Sequence, residues 1–239
     1  MAVSSETKQQ RAYYSRTAKH YDAMHLHPVD EHGKALNGFM GLAEVFGPVD
    51  SVLDVGAGTG RALEKLRARW PRAEVMGIEP VEELRRIGHS KGIPEDQLVA
   101  GDALHLAFDD DTFDFVVETG ALHHIRTPIA AVKEMIRVAR KGVMVSDSNN
   151  VGQGSASLRF VKFALSSLGL WPAAVFLETR GKMYKESEGD GLYYSFSAFD
   201  CVAEMRNKFP TVHYMNTTNT HGFNLYRGAT HVMIFACKQ

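Results

Sequence analysis

The stretch from Ser51 to Arg61, SVLDVGAGTGR, constrains the fold of this 239-residue chain more than any other. A short β-branched run is followed by glycines at the alternate positions Gly56, Gly58 and Gly60, and then by a helix-like pattern. Glycine is needed where the backbone turns sharply and where a side chain would keep a ligand away from the main chain. The stretch therefore predicts a strand, a tight loop that contacts a cofactor, and a helix.

The spacing of these glycines bears on which cofactor is bound. The dinucleotide fingerprint is G-x-G-x-x-G, with a pyrophosphate at the N-terminus of the helix. Here the spacing is G-x-G-x-G, and Asp54 stands two residues before the first glycine. A carboxylate at that point would repel a pyrophosphate but could bind an ammonium group, directly or through water. A cofactor with a cationic amino-acid end therefore fits better than NAD.

The sequence D-V-G-A-G-T-G at residues 54–60 resembles motif I of the class I (Rossmann-like) S-adenosylmethionine-dependent methyltransferases, in the ubiquinone/menaquinone-biosynthesis-type branch (methyltransferase type 11). The resemblance covers about residues 12–147 motif by motif, and the remainder only by the order of elements. It implies an α/β fold with a Rossmann-like seven-stranded mostly parallel sheet, an antiparallel last strand, helices on both faces and a cap inserted after strand five. It also implies S-adenosyl-L-methionine as the cofactor.

Two acids after the predicted second and third strands are expected to hold the sugar and the base of that cofactor. Glu79 lies 21 residues beyond Gly58, where an acid can accept hydrogen bonds from both ribose hydroxyls, although alone it could be an acid at a helix N-terminus. Asp102 in G-D-A resembles the family's adenine contact, with a turn-forming aspartate as the alternative. The cofactor-binding residues implied by the resemblance are Tyr14, Tyr21, Asp54, Gly56, Ala57, Gly58, Gly60, Glu79, Pro80, Asp102, Ala103, Glu118 and Thr119.

The N-terminal part is expected to cover the cofactor. Residues 1–45 are predicted to form a helical lid segment, and residues 46–239 the methyltransferase domain. Residues 1–11 are polar and expected to fray. The segment with Tyr14 and Tyr21 resembles the family's aromatic segment that folds over the cofactor. The alternative is an amphipathic helix whose tyrosines pack on the domain.

Four histidines crowd this region and raise the question of a metal site. Histidine ligand sets usually come with acids behind them and with a rigid element, whereas residues 24–33 have the pattern of a loop. Solvated loop histidines are therefore favoured, and no metal is expected in the chain. The histidines are His20, His25, His27 and His32.

The loop after the predicted fourth strand, residues 113–117, is expected to lie beside the reactive methyl group. Loops that leave the carboxyl ends of parallel strands form the binding crevice of such sheets. This loop lacks the N/D-P-P-Y/F sequence of enzymes that methylate nucleobase amines. His123 or His124 could be a general base, since imidazole titrates near neutral pH, or both could be scaffold at a helix start. Tyr184 is a further candidate catalytic residue.

After the predicted fifth strand, 142–146, about fifty residues precede the next predicted helix. Connections of that length usually carry function, so residues 148–196 are expected to cap the acceptor pocket. An interaction or dimer surface is the alternative, and a homodimer is possible. A helix is predicted at 157–168, and a capping-box-like start at Ser197. The candidate substrate-binding residues are Asn149, Tyr193 and Tyr194.

Composition limits the partners. The formal net charge of −1 offers no global basic field for nucleic acid. Two cysteines give no disulfide framework, and the N-terminus has no signal-peptide pattern, so a cytoplasmic location is expected. No stretch of eighteen apolar residues predicts a membrane span.

These features favour in-line methyl transfer to a small-molecule acceptor. A macromolecule methyltransferase, for RNA or protein, is an alternative within the same class. A non-catalytic nucleoside-binding protein of the same fold is an alternative from another class, and an NAD-dependent oxidoreductase is disfavoured by the glycine spacing.

Overall fold

A seven-stranded sheet runs through the centre of the computed structural model, which describes residues 4–25, 30–218 and 224–238. Its strand order is β3-β2-β1-β4-β5-β9-β8; β1 to β5 are parallel neighbours, and β9 is antiparallel to both β5 and β8. This confirms the predicted fold class. The strands are β1 (Ser51–Val55), β2 (Glu74–Ile78), β3 (Leu98–Val99), β4 (Phe113–Thr119), β5 (Ala139–Ser148), β6 (Tyr184–Ser187), β7 (Gly191–Tyr194), β8 (Thr211–Asn216) and β9 (His231–Cys237).

Helices cover both faces of the sheet and bury two apolar layers against it. The central strands are buried on both sides, as parallel strands are when helices flank them. Phe39 of α3 packs edge-on against Phe115 and Phe235 in one layer. The α-helices are α1 (Ser5–Thr17), α2 (Tyr21–His25), α3 (Glu31–Ala43), α4 (Arg61–Arg69), α5 (Glu82–Ser90), α6 (Pro128–Val138), α7 (Ala156–Ser167), α8 (Trp171–Glu178), α9 (Val202–Lys208) and α10 (Leu225–Gly228).

The strand order places the ends of three strands around one crevice. β1 has β2 on one side and β4 on the other, so the chain changes direction across the sheet beside β1. Ligands of open α/β sheets bind outside the carboxyl ends of the strands at such a point. The glycine loop after β1, the acid after β2 and the loop after β4 therefore lie together.

Helix α3 corrects two expectations about the N-terminal part. It begins at Glu31, because Asp30 caps it by accepting the amide hydrogen of Gly33. His32 consequently lies in a helix with its ring hydrogen-bonded to Ser146, so it is not a solvated loop histidine. Phe39 and the rest of the α3 apolar face are part of the core, so this helix packs against the sheet and does not belong to a separate lid segment that extends to residue 45.

The other histidines of that group differ in their surroundings. His20 is exposed, as expected, whereas His25 is partly buried in α2. His27 lies outside the described residues. The expected fraying also stops earlier than residue 11, since Ser4 caps α1 by accepting the amide hydrogen of Thr7 at 3.1 Å.

The segment between β5 and α9 contains more regular structure than the sequence indicated. The predicted helix is α7, but α8 and the β6–β7 hairpin were not predicted. Ser197 does not cap a helix; its hydroxyl donates to Oδ1 of Asn149, and a short 3-10 turn precedes α9. Helices α7 and α8 and the connection between them expose several large apolar side chains: Leu158, Phe160, Val161, Leu168, Leu170, Phe176 and Leu177.

The structure also describes the two cysteines and the helices that could be tested as membrane spans. Cys201 and Cys237 are both buried and free. Within the described ranges, no helix has the length and apolar character needed to cross a bilayer.

Candidate active site

The glycine loop after β1 can be built only with glycines. Gly56, Gly58 and Gly60 have φ angles of 80°, 55° and 87°, in the left-handed region that side chains disfavour. A Cβ atom at Gly56 would lie 2.5 Å from the Cβ of Ala121, and one at Gly60 would lie 2.0 Å from Cδ1 of Ile93. The loop therefore brings its main chain close to the loop after β4 and to the segment after α5.

Asp54 at the end of β1 is a fully buried carboxylate that lacks a partner. Neither of its oxygens has a hydrogen-bond partner among the described residues. Burial raises the pKa of Asp54 to about 7, although the nearby Arg61 acts in the opposite direction. A buried carboxylate is costly unless a cation or donors reach it. The ammonium group of an amino-acid cofactor is such a cation, so this residue fits the cofactor that the sequence predicts.

Glu79 connects the end of β2 to the glycine loop. Its Oε2 accepts the amide hydrogen of Gly58 at 3.0 Å, and its Oε1 accepts that of Val81 at 2.8 Å. Val81 precedes α5, so the helix-start role and the loop contact occur together. Burial raises the pKa of Glu79 to about 7. Each carboxylate oxygen can accept a second hydrogen bond, which leaves capacity for the ribose hydroxyls.

Asp102 is partly exposed, and its position is compatible with both predicted roles, the turn-forming aspartate and the adenine contact. Its Oδ1 accepts the amide hydrogen of Leu104 at 3.0 Å, which is the turn-forming role. Its Oδ2 lies 2.8 Å from Nη2 of Arg11 on α1. Arg11 was not predicted, because a lone arginine in a polar N-terminal segment has no distinctive spacing. The carboxylate expected to meet the adenine is thus paired with a guanidinium of the lid.

The lid, residues 4–25, lies directly on the glycine loop. A Cβ atom at Gly58 would lie 2.8 Å from the hydroxyl of Tyr21. Asp22 accepts a hydrogen bond of 2.6 Å from Thr59 and forms an ion pair of 2.5 Å with Lys91. Tyr14 packs edge-on against Tyr21. The two predicted lid tyrosines are therefore next to the loop, in contact with each other.

Beside the lid lies a cavity of about 870 Å³ between the loop after β4 and the cap. Thr119 and His123 are on its wall, together with Tyr14 and Tyr21. The cap contributes the charged Lys162, Glu178 and Lys185 to the wall of the cavity, together with a set of apolar side chains: Leu158, Val161, Leu165, Trp171, Ala174 and Val175.

The predicted substrate residues are placed differently from one another. Tyr193 and Tyr194 line the cavity, whereas Tyr184 is on the neighbouring strand of the hairpin and does not line it. Asn149 is fully buried; its amide donates to the carbonyl oxygens of Tyr226 and Ala229. That side chain is committed to joining β5 to the segment before β9, so we do not retain it as a substrate contact.

His123 is held between two carboxylates. Its Nδ1 lies 2.7 Å from Asp147 and its Nε2 lies 3.2 Å from Asp190. Burial alone would lower the pKa of His123, but the two carboxylates outweigh it and raise that pKa well above its usual value. The pKa of Asp147 falls to about 2, because the positive imidazole outweighs its burial. His123 is therefore poorly suited to accept a proton.

His124 has the opposite character. Burial, reinforced by the charge of His123, lowers its pKa. Its Nδ1 lies 2.7 Å from the carbonyl oxygen of Leu192, to which it donates, and its Nε2 lies 2.8 Å from the Tyr14 hydroxyl. Of the two histidines, His124 is the one whose ring stays neutral and whose Nε2 can accept a proton.

Glu118 is a second buried acid at this point. Its Oε1 accepts amide hydrogens of Ala121 and Leu122, while its Oε2 has no partner among the described residues. Burial, and then the charge of Asp147, raise its pKa well above the usual value.

Two acids of the site were not singled out from the sequence. Asp147 was recognisable in principle, because it lies at the carboxyl end of β5 beside the loop after β4. Asp190 gave no local signal; it is in the turn of the cap hairpin, 67 residues from His123.

Comparison with known proteins agrees with this geometry. Residues 53–146 match the family model described as a methyltransferase domain. Over 95 residues, the chain is 38% identical to the demethylmenaquinone methyltransferase of Staphylococcus carnosus (strain TM300). The aligned segment covers 38% of this chain and 39% of that relative. The match thus spans about two fifths of the relative's length.

Solved structures match over nearly the whole chain. A S-adenosylmethionine-dependent methyltransferase of Thermotoga maritima, described as a possible histamine N-methyltransferase, has a TM-score of 0.58 at 18% identity, covering 96% of this chain and 100% of that one. The phosphoethanolamine N-methyltransferase 2 of Haemonchus contortus, in complex with phosphomonomethylethanolamine and S-adenosylhomocysteine, has a TM-score of 0.57 at 14% identity, covering 95% of this chain and 60% of that one. Residues 53–146 therefore match a methyltransferase domain, and the fold of the chain is that of Rossmann-like S-adenosylmethionine-dependent methyltransferases.

Proposed function

We propose that this chain transfers the methyl group of S-adenosyl-L-methionine to a small-molecule acceptor that has a polar, nucleophilic end and an apolar body. The observation that carries the proposal is the cavity of about 870 Å³ between lid, loop and cap. Small-molecule sites usually measure roughly 300 to 1,000 Å³. Polar groups line it near Thr119 and His123, and apolar side chains line it on the cap.

The cofactor is assigned to the glycine loop and the acids around it. Asp54 would meet its ammonium group, Glu79 its ribose hydroxyls and Asp102 its adenine amine. Tyr14 and Tyr21 would close over it from the lid. The unpartnered, buried carboxylate of Asp54 supports this assignment, because a cationic ligand removes the cost of its burial.

The protein has mainly to align the acceptor with the methyl group of the cofactor. S-adenosyl-L-methionine supplies a methyl group on a positively charged sulfur, so the electrophile is activated by the cofactor itself. Holding two reactants in line can supply roughly 7 to 11 kcal/mol. The walls of the cavity, including Tyr193 and Tyr194, would position the acceptor. Where the acceptor is a hydroxyl or thiol, its proton could reach Nε2 of His124 through the hydroxyl of Tyr14, which lines the cavity and lies 2.8 Å from that nitrogen.

The names of relatives are consistent with small acceptors. The curated relatives are demethylmenaquinone methyltransferases, and one solved neighbour is bound to phosphomonomethylethanolamine. The net charge of −1 and the roofed cavity argue against a macromolecular acceptor. A non-catalytic nucleoside-binding role would not need the apolar side chains of the cap on the wall of this cavity.

Turnover with methyl-labelled cofactor tests the proposal. The purified chain would be incubated with panels of quinols and phenols, thiols, amines, bulk RNA and bulk protein, with mass spectrometric detection of S-adenosylhomocysteine and of methylated product. We expect multiple turnovers with one small-molecule class, and none for Asp54→Asn with the same acceptor. Labelling confined to RNA or protein would establish the macromolecular alternative instead. Tight cofactor binding with no turnover on any panel would establish the nucleoside-binding alternative.

A further inference from the structure

Three side chains at the mouth of the acceptor cavity converge on one point. His123 and His124 come from the loop after β4, and Asp190 comes from the turn of the cap hairpin. One ligand atom from each lies within 4.8 Å of the other two. The Nε2 atoms of His123 and His124 are 3.2 and 3.3 Å from the two carboxylate oxygens of Asp190.

We infer that His123, His124 and Asp190 form a binding site for one divalent transition-metal ion of the Zn²⁺ type, open toward the acceptor cavity. In a tetrahedral zinc site with bonds of about 2.0 to 2.2 Å, neighbouring ligand atoms are about 3.3 to 3.6 Å apart. The two histidine-to-aspartate distances already agree with that spacing to about 0.1 Å.

The groups that contact Nδ1 of both histidines support the assignment of a metal site. Metal-bound histidines almost always donate their other ring N–H to a carboxylate or a backbone carbonyl, which fixes the ring and its tautomer. His123 has the fully buried Asp147 at 2.7 Å from its Nδ1, and that carboxylate also accepts the backbone amide hydrogen of His123. His124 has the carbonyl oxygen of Leu192 at 2.7 Å from its Nδ1. Each ring therefore presents Nε2 toward Asp190.

The hydrogen-bond inventory points the same way. A ring that donates through Nδ1 carries a lone pair on Nε2, and Asp190 offers only lone pairs when ionised. Lone pairs that face each other at 3.2 and 3.3 Å are stabilised by a cation or a proton between them. One metal ion would serve both rings at once. Without a metal, a proton on Nε2 of His123 would face Asp190, and the Tyr14 hydroxyl would donate to Nε2 of His124.

A fourth oxygen lies at the same point. The hydroxyl of Tyr14 is 2.8 Å from Nε2 of His124 and 3.4 Å from Oδ1 of Asp190. Because Tyr14 belongs to the lid and lines the cavity, an oxygen or sulfur of an acceptor could take its place when the lid moves. Three protein ligands with one exchangeable position are typical of zinc sites that act on a bound ligand.

The donor set selects the class of ion. Two imidazoles and one carboxylate suit Zn²⁺ and its first-row neighbours, whereas Mg²⁺ and Ca²⁺ prefer oxygen ligands alone. A hydroxyl that coordinates such an ion loses its proton more readily. With the ion bound, Nε2 of His124 would be a ligand and could not accept the proton of the acceptor, which would pass to solvent. Asp190 would also be fixed to the core, which would attach the cap hairpin to the loop after β4.

Calorimetric titration of the full, metal-depleted chain with Zn²⁺ tests the inference without cofactor or acceptor, so its result is independent of the proposed methyl transfer. We expect one ion per chain, with proton release from His123 that appears as a buffer-dependent heat. Asp190→Asn and His124→Ala should each weaken Zn²⁺ binding at least tenfold, and Asp147→Asn by about 10- to 100-fold. The matched controls His105→Ala and Asp109→Asn remove an exposed histidine and an exposed aspartate and should leave the affinity unchanged.

Two further measurements distinguish a metal site formed by these three residues from nonspecific binding of the ion at the surface. Co²⁺ should give the visible absorption of a tetrahedral N/O site in the wild type and not in Asp190→Asn, with circular dichroism confirming that the variant is folded. Zn²⁺ should also slow amide exchange in the cap hairpin, residues 184–194. Absence of stoichiometric Zn²⁺ binding to the wild type, or equal affinity in folded Asp190→Asn, would overturn the inference and leave His123 as an imidazolium between two carboxylates.

Discussion

The amide of Gly58 donates a hydrogen bond of 3.0 Å to Oε2 of Glu79, which joins the glycine loop to the end of the neighbouring strand. The acid expected to hold the ribose therefore also positions the loop expected to hold the amino-acid end. Glu79→Ala should weaken binding of S-adenosylhomocysteine by about 1 to 3 kcal/mol, since buried donors lose their acceptor. Isothermal calorimetry measures this change. Glu82→Gln, an exposed acid on the following helix, is the control, and unchanged affinity in Glu79→Ala would remove Glu79 from the site.

The ionised carboxylate of Asp54 should lower the stability of the cofactor-free protein at alkaline pH. Its pKa is about 7 when folded and near its ordinary value of about 3.9 when unfolded, so the folded chain binds more protons between those values. The contribution of Asp54 to the free energy of unfolding therefore falls as pH rises through this window. Asp54→Asn should raise the thermal midpoint at pH 8 relative to wild type, by more than at pH 5. An equal change in the thermal midpoint at both pH values, or a lower midpoint at pH 8, would contradict the raised pKa of buried Asp54.

Cofactor binding should depend on pH through the same carboxylates. Asp54 and Glu79 both have pKa values of about 7 without ligand. An ammonium group favours the ionised form of Asp54, so binding below pH 7 requires loss of a proton. The affinity for S-adenosylhomocysteine should fall from pH 8 to pH 5.5, by up to about tenfold per pH unit for each proton lost. Calorimetry across this range measures the slope, which Asp54→Asn should reduce. A flat profile in the wild type would exclude the linkage.

The ion pair between Arg11 and Asp102 should compete with the adenine. The Arg11 guanidinium lies 2.8 Å from the carboxylate that is expected to accept the adenine amine, and partly exposed ion pairs are worth about 0 to 1 kcal/mol. Arg11→Ala should therefore strengthen binding of S-adenosylhomocysteine by up to about fivefold. Arg16→Ala, an exposed arginine on the same helix, should have no effect. Weaker binding in Arg11→Ala would mean that Arg11 itself contacts the cofactor.

The sequence was sufficient for features that depend on short segments. The glycine loop, Glu79 and the ends of the parallel strands are each specified within a few residues, because a strand end and its following turn require particular side chains. The mostly parallel seven-stranded sheet with an antiparallel last strand followed from the family resemblance. These elements place the expected cofactor residues around one crevice.

Features formed by distant segments were missed. Asp190 and Arg11 meet the site through the cap and the lid, and no local spacing marks them as neighbours of His123 or Asp102. His32 was expected to be solvated, because nothing near it in the sequence indicates the contact of its ring with Ser146. Asn149 follows a strand end like a ligand residue, yet its amide is used inside the fold, which only the tertiary structure reveals.

A crystal structure of the chain with S-adenosylhomocysteine tests the central claim most directly. The account predicts the homocysteine amino group within hydrogen-bonding distance of Asp54, the ribose hydroxyls at Glu79, and the sulfur facing the cavity beside Thr119 and His123. A ligand bound elsewhere, or a crevice that stays closed by Tyr21 at saturating ligand, would contradict it.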